Sequence, residues 1–400
     1  MSENDTTIAI LGAGPIGLEA ALYAARAGYD VEVYEKDEPG AHVLRWGHVE
    51  FFSPWSMNRS EWGADSLRAA GVELADDDAF PSGREYVERY LHPLTRHDVL
   101  RGSIHRHTEV LGVSRKHALK GEFIGDDRRA DGPFLLKLRD PNGERFVTAD
   151  IVIDTTGVYE QPRALGPGGL TAIGEDEAEQ IIERWIPDPS GADRALYANK
   201  RTLLVGAGYS AVTSAKLLEE LHRGAPDTRV MWLMREDTPP FRPNDDDPLP
   251  QRAALAEFGN QAALGNVDAI RPVHGHLWKI QRADGGVRVE VRHGTEHEHF
   301  MVDRVVGNTG YKPDVELYRE LQVHQCYASE GPMNLAAYLL SQAGEASGDC
   351  LQQTAGGFDT LVSPEPNFFM LGAKSYGRNS DFLLKLGYEQ IETVFENLGN

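Results

Sequence analysis

The chain has 400 residues, of which 41% are hydrophobic, enough for two or three packed domains. Its formal net charge of −22 repels phosphate backbones and anionic lipid heads, so general nucleic-acid or membrane binding is not expected. The first residues, MSENDTTIAIL, are acidic and polar where a signal peptide is basic and then apolar, and no run of 18 apolar residues occurs, so the chain reads as cytoplasmic.

The first element is a short apolar strand, Ile8 to Leu11, followed by helical spacing from Leu18 to Ala27. Gly12, Gly14 and Gly17 lie between them, with Pro15 and Ile16 in the turn. Gly12 permits the tight turn, Gly14 admits a pyrophosphate close to the backbone, and Gly17 lets helix and strand pack. The helix N-terminus then offers amide donors to an anion. The next strand, YDVEVYEK, ends at Glu35, about twenty residues past the last glycine, where an acid accepts hydrogen bonds from a ribose diol.

The stretch LRWGHVEFFSPWSMNRSEW follows, rich in Trp, Phe and Met, then EYVERYLHPL, read as a helix, and a loop near Val110 that is counted among the cofactor-lining residues. ADIVIDTTGVYEQP is a strand running into Thr156 and Gly157. At Thr202 to Val205 the opening pattern repeats, with Gly206, Gly208 and Ala211 in the glycine places and Tyr209 and Ser210 starting the helix. Here the next strand, RVMWLMRED, ends in Arg235, with Arg242 close behind. A guanidinium there binds a 2′-phosphate that a carboxylate repels, which predicts NADPH at this second site.

PPFRPNDDDPLPQR (Pro239 to Arg252) is expected to be irregular. VRVEVRHGTEHEHFMVD reads as a β-hairpin turning at Gly294 and Thr295, with His297 and His299 on one face; they are read as solvent-facing, and no metal site is expected. The last elements are NFFMLGAKSYGRNS, whose Gly372, Ser375 and Arg378 are expected to face a cofactor, and a helix over Asp381 to Glu392.

The paired turns, Glu35 after the first and Arg235 after the second, resemble the flavoproteins with two dinucleotide-binding domains, a group that includes glutathione reductase and the flavin-containing monooxygenases. That resemblance implies an α/β chain with two Rossmann-like dinucleotide-binding domains, FAD bound at the first turn and NADPH at the second. It implies a discontinuous FAD domain (1–160 and 310–400) and an inserted NAD(P)H domain (161–309). Thr156-Gly157 is similar to the group's A-T-G loop, and DRVVGNTGYKPD to its return crossing. That return segment also resembles the D-x-x-x-L-A-T-G-Y motif of N-hydroxylating monooxygenases, with Gly307 and Asn308 in place of its Leu and Ala. The chain departs from the group where Gly372 precedes Ala373 rather than an aspartate. It also lacks the full Gly-Gly-x-Trp turn.

Only Cys326 and Cys350 are present, with no C-x-x-C and no thiol in the first half, so the relay of the disulfide reductases has no nucleophile here. Oxygen then becomes the expected electron acceptor: reduced flavin adds O₂ to give a C4a-hydroperoxide, which transfers one oxygen atom to a small nitrogen- or sulfur-containing substrate. By resemblance to the flavin-containing monooxygenases, Trp46 and Asn58 are the expected catalytic residues. Two other readings stay open: a cysteine-free reductase that serves a partner protein or small oxidant, and an NAD(P)H-sensing flavoprotein. A small-molecule substrate is expected, and the oligomeric state is open, a homodimer being compatible.

Overall fold

The computed structural model describes residues 6–242, 244, 247–343 and 356–398. Cys350, the second cysteine, lies outside the described residues. No helix among them is long and apolar enough to cross a membrane. The chain divides into two compact units, one formed by Met1–Gln161 with Lys312–Asn400 and the other by Pro162–Tyr311.

Unit 1 is built on a parallel sheet. Strand β1 (Thr7–Leu11) lies between β2 (Asp30–Tyr34) and β4 (Ile151–Asp154); β3 (Ile104–His105) flanks β2, and the returning strand Phe368–Met370 flanks β4. Every pairing in it is parallel. Ile8 to Leu11 are buried on both faces, which is why that strand reads as an unbroken apolar run rather than an alternating one. Helix α1 (Pro15–Arg26) starts with Pro at its first turn and Gly14 as its cap, and no side chain caps its first amides. An antiparallel meander (Glu109–Arg115, Phe134–Asp140, Gly143–Ala149) covers the other side of the sheet through Phe134, Leu136 and Leu138.

Unit 2 repeats the plan. Its parallel sheet contains β5 (Ile182–Glu183), β6 (Arg201–Val205), β7 (Arg229–Met234), β8 (Ile270–His274) and β9 (Arg304–Gly307), in the order β8-β7-β6-β9-β5. Helix α2 (Tyr209–Gly224) follows β6. A second antiparallel meander runs through His276–Ala283, Gly286–His293 and Glu296–Val302. The fold is thus α/β with two Rossmann-like parallel sheets.

Three local expectations are corrected. The stretch from Pro239 to Arg252 is not irregular throughout, because Pro250 opens a helix that runs to Ala263. Pro at a first helical turn loses no hydrogen bond, so it marks a start there rather than a break. The last helix runs Leu384–Leu398 rather than from Asp381. The helix expected over Glu85 to Leu94 contains a π turn at Val87–Leu91, just before Pro93.

Candidate functional site

At the C-terminal ends of β1, β2 and β4 the three glycines of the first turn have three different surroundings. Gly12 has φ +93, and a Cβ there would stand 3.3 Å from the Thr155 carbonyl oxygen and from the Thr156 Cα. A Cβ on Gly17 would fall 2.0 Å from the Gly12 carbonyl oxygen, so this position tolerates only hydrogen. Gly14 faces open space. Turn, packing and approach are therefore divided among the glycines as their order in the motif requires.

Glu35 stands just past β2. Its carboxylate accepts the Ala13 N–H at 2.7 Å and the Asp37 N–H at 2.9 Å, and its own N–H donates to the His105 carbonyl at 2.9 Å. A carboxylate has about four acceptor sites, so capacity remains for ribose hydroxyls. The Thr108 N–H donates to the Glu35 carbonyl at 2.8 Å, which places the start of the meander, and Val110 with it, beside this acid. Gly157, with φ +70, also faces open space. The open glycines, uncapped helix amides and acid together fit an adenine dinucleotide. Pro15 and Ile16 contribute backbone only; the Ile16 side chain is inserted between Gly372 and Gly387.

In unit 2, Gly206 has φ +126, and a Cβ on it would meet the Asn308 carbonyl oxygen at 2.2 Å. Asn308 fastens this turn from the other side: its N–H donates to the Val205 carbonyl, and Ser214 donates to its side-chain oxygen at 2.7 Å. The Trp232 indole N–H donates to the Gly206 carbonyl at 2.7 Å. Gly208 faces open space, Ser210 is exposed and Ala211 is buried. Tyr209 stacks on Phe241 with centroids 4.5 Å apart, and Asn260 holds Phe241 by both its N–H and its carbonyl. Arg235 and Arg242 are both exposed, and neither has a hydrogen-bond or ion-pair partner among the described residues. This is a site of the same design with cationic rather than acidic flanking groups.

The residues expected to do chemistry are placed differently. The Asn58 side chain is buried and committed to its own loop: it donates to the carbonyls of Ser53 (2.8 Å) and Pro54 (2.9 Å) and accepts from the Ser53 hydroxyl (3.0 Å). Short polar side chains compete for nearby backbone groups, and here the backbone has won. Trp46 packs edge-on against Phe51 at 5.0 Å and covers Gly83, at the margin of the hydrophobic core. Trp55, Phe51 and Tyr86 continue the cluster, so this aromatic stretch is core.

The other expected flavin contacts are also engaged elsewhere. Ser375 donates to the Gly372 carbonyl at 2.8 Å and accepts from Gln390 at 3.0 Å, and Gln390 accepts the Gly372 N–H at 2.8 Å. Arg378 forms a two-pronged ion pair with Glu330 at 2.7 and 2.8 Å. The residue that sequence reasoning missed in this turn is Lys374, fully buried and ion-paired with Asp154. A lysine inside the apolar run FFMLGAKSYG was the signal for it.

A hollow of about 400 Å³ lined by Lys279, Gln281, Arg288, Glu290 and His299 lies on the meander of unit 2, not at its Gly-rich turn. Among the described residues no three His, Cys, Asp or Glu side chains are placed to hold a metal ion.

Residues 6–331 match the family model described as pyridine nucleotide-disulphide oxidoreductase. The chain belongs to that family. FAD and NAD(P)H are the cofactors of these pyridine nucleotide-disulphide oxidoreductases. The chain spans half or less of the length of the curated relatives it matches. With a thioredoxin reductase from Buchnera aphidicola it is 25% identical over 216 residues, 54% of this chain and 49% of that protein. Among solved structures it is similar to the bacillithiol disulfide reductase of Bacillus cereus (TM-score 0.70, 18% identity, 99% of each chain covered). It is also similar to an ornithine N-hydroxylase from Kutzneria (TM-score 0.63, 16% identity, 99% of this chain and 100% of that one). Disulfide reductases and hydroxylases thus share this fold.

Proposed function

We propose that the protein is an FAD-dependent, NADPH-using oxidoreductase whose flavin serves a small acceptor directly, inserting one oxygen atom into a nitrogen- or sulfur-containing substrate. Bound FAD supplies hydride acceptance from NADPH and onward electron transfer. The chain's residues supply the placement. In unit 1, Gly12, Gly14 and the first amides of α1 would hold the pyrophosphate, Glu35 the ribose, and Thr156 and Gly157 the backbone wall opposite. In unit 2, Gly206, Gly208 and the start of α2 would hold the NADPH pyrophosphate, with Arg235 and Arg242 at the 2′-phosphate.

The observation that carries direct transfer is that no cysteine precedes Cys326 in the sequence, so the first half has no thiol for a dithiol relay. The test is rapid mixing of the purified flavoprotein with NADPH, then with O₂, while candidate amines and thioethers are supplied. Oxygenation predicts O₂-dependent NADPH oxidation with less than one hydrogen peroxide released per NADPH when substrate is present. A reduced flavin that stays reduced in air overturns it. The commitment of the Asn58 amide to Ser53 and Pro54 favours a second reading, a reductase for a small oxidant or partner protein. That reading predicts NADPH oxidation only after the acceptor is added.

A further inference from the structure

Asp154 is the last residue of β4, and Lys374 sits in the turn Gly372–Tyr376 that follows the strand beside it. Their side chains are both 0% exposed, and Lys374 Nζ lies 2.6 Å from Asp154 Oδ2. Lys374 Nζ also donates to Thr156 Oγ1 at 2.8 Å. Thr156 in turn donates twice to Asp154 Oδ1, from its hydroxyl at 2.7 Å and from its backbone N–H at 3.1 Å. The three side chains form a closed ring: one ion pair, and two hydrogen bonds that pass through the Thr156 hydroxyl. The ammonium is 5.2 Å from the centre of the Tyr318 ring.

The ring has an inner and an outer side. The Thr156 hydroxyl accepts from Lys374 and donates to Asp154, so its hydrogen is committed inside the ring. What is left to face outward is backbone: the Thr156 Cα stands 3.3 Å from where a Gly12 Cβ would be, and Gly157 opens onto free space. Burying two opposite charges costs desolvation and is often no more stabilising than an apolar pair of the same size. Fixing the shape of one turn is a reason to keep it.

We propose that Lys374 is a positioning residue for FAD, holding through Thr156 the Thr156–Gly157 backbone against which the dinucleotide lies. This rests on the assignment of FAD to unit 1. The test compares Thr156→Val, Thr156→Ser and the double variant Lys374→Met/Asp154→Asn with the wild type. Two quantities are read on each: the melting temperature of the FAD-free protein and the FAD dissociation constant from quenching of flavin fluorescence. The double variant removes both charges together and leaves no lone buried ion. Thr156→Val and the double variant are expected to bind FAD at least about tenfold more weakly, and Thr156→Ser to retain wild-type affinity. A folded Thr156→Val that binds FAD as the wild type does overturns the inference, whether or not the double variant folds. If the wild type itself binds no FAD, the assignment of unit 1 fails first and the inference falls with it.

Discussion

The Glu35 carboxylate accepts the Ala13 N–H at 2.7 Å, so the acid just past β2 is a structural part of the Gly-rich turn after β1. The same oxygens are the expected ribose acceptors, which gives one residue two tasks. Glu35→Gln keeps an acceptor for the turn and loses the charge. It is expected to leave folding intact and weaken FAD about tenfold, the loss of one charge-assisted hydrogen bond. Retention of flavin through gel filtration, quantified by absorbance per protein, checks this.

The second and third glycine positions separate fold from cofactor. A methyl at Gly17 collides with the Gly12 carbonyl at 2.0 Å, so Gly17→Ala is expected to lose more than about 3 kcal/mol and express poorly. Gly14 faces open space, so Gly14→Ala is expected to melt within a few degrees of the wild type while losing FAD. Equal melting and equal flavin content in the two variants would remove the division of roles.

Arg235 is exposed just past β7 and has no partner among the described residues, so its replacement is expected to cost the fold little. Arg235→Ser is expected to lower kcat/KM for NADPH by about 10- to 100-fold and to change that for NADH by less than about threefold. Steady-state rates with the two nucleotides decide it.

Asn58 locks its own loop, and the Tyr388 hydroxyl also donates to its backbone carbonyl at 2.7 Å. Asn58→Ala leaves the Ser53 hydroxyl, the buried Ser53 carbonyl and the partly buried Pro54 carbonyl short of partners. The expected result is a loss of about 2–3 kcal/mol in chemical denaturation with the rate of flavin reduction by NADPH unchanged. A stable variant with a slowed oxidative half-reaction would return Asn58 to the chemistry.

Two carboxyls act on stability in opposite senses. Burial pushes the Glu19 carboxyl upward, against hydrogen bonds from Ser60 and Tyr90 and with Glu392 adding to the rise. The folded state therefore binds this proton more tightly than the unfolded one. Its contribution is complete below the usual carboxylate range and is lost as pH rises through the folded value. Glu19→Gln is expected to flatten the fall in melting temperature as pH rises above the usual carboxylate range. Burial also opposes ionisation of Glu160, but Lys36 and His42 outweigh it and hold the carboxyl at about 2. That contribution is present above the usual range and lost as pH drops toward 2. Glu160→Gln is expected to cost on the order of 1 kcal/mol near neutrality, since solvent screens this half-exposed group, and to match the wild type in strong acid.

The two strand-turn-helix units were legible because each is local: an apolar run, glycines with fixed duties and an acid or a base at the end of the next strand all fall within about 35 residues. Lys374, Asp154 and Gln390 were not, because their partners arrive from distant parts of the chain and no short window contains both. The partners of Asn58 were hidden for a different reason. Its residue type suited a flavin contact, but spacing alone does not reveal that Ser53 and Pro54 take up its amide. Pro250 carried a usable signal, a proline ahead of an apolar-periodic stretch, which its acidic surroundings obscured.

Arg115 and Arg129 are both buried in unit 1, and both are ion-paired with Glu365, which also receives the Gln322 N–H at 2.7 Å. That carboxylate leaves the ribosome long after the arginines, and the whole of Pro162–Tyr311 is synthesised in between. During translation the inserted unit is complete while its host still contains two guanidinium groups without their counter-charge and a sheet without its last strand, Phe368–Met370. Assembly of the nascent chain thus runs from the inside outward: the interrupted unit closes last, when Glu365 reaches it.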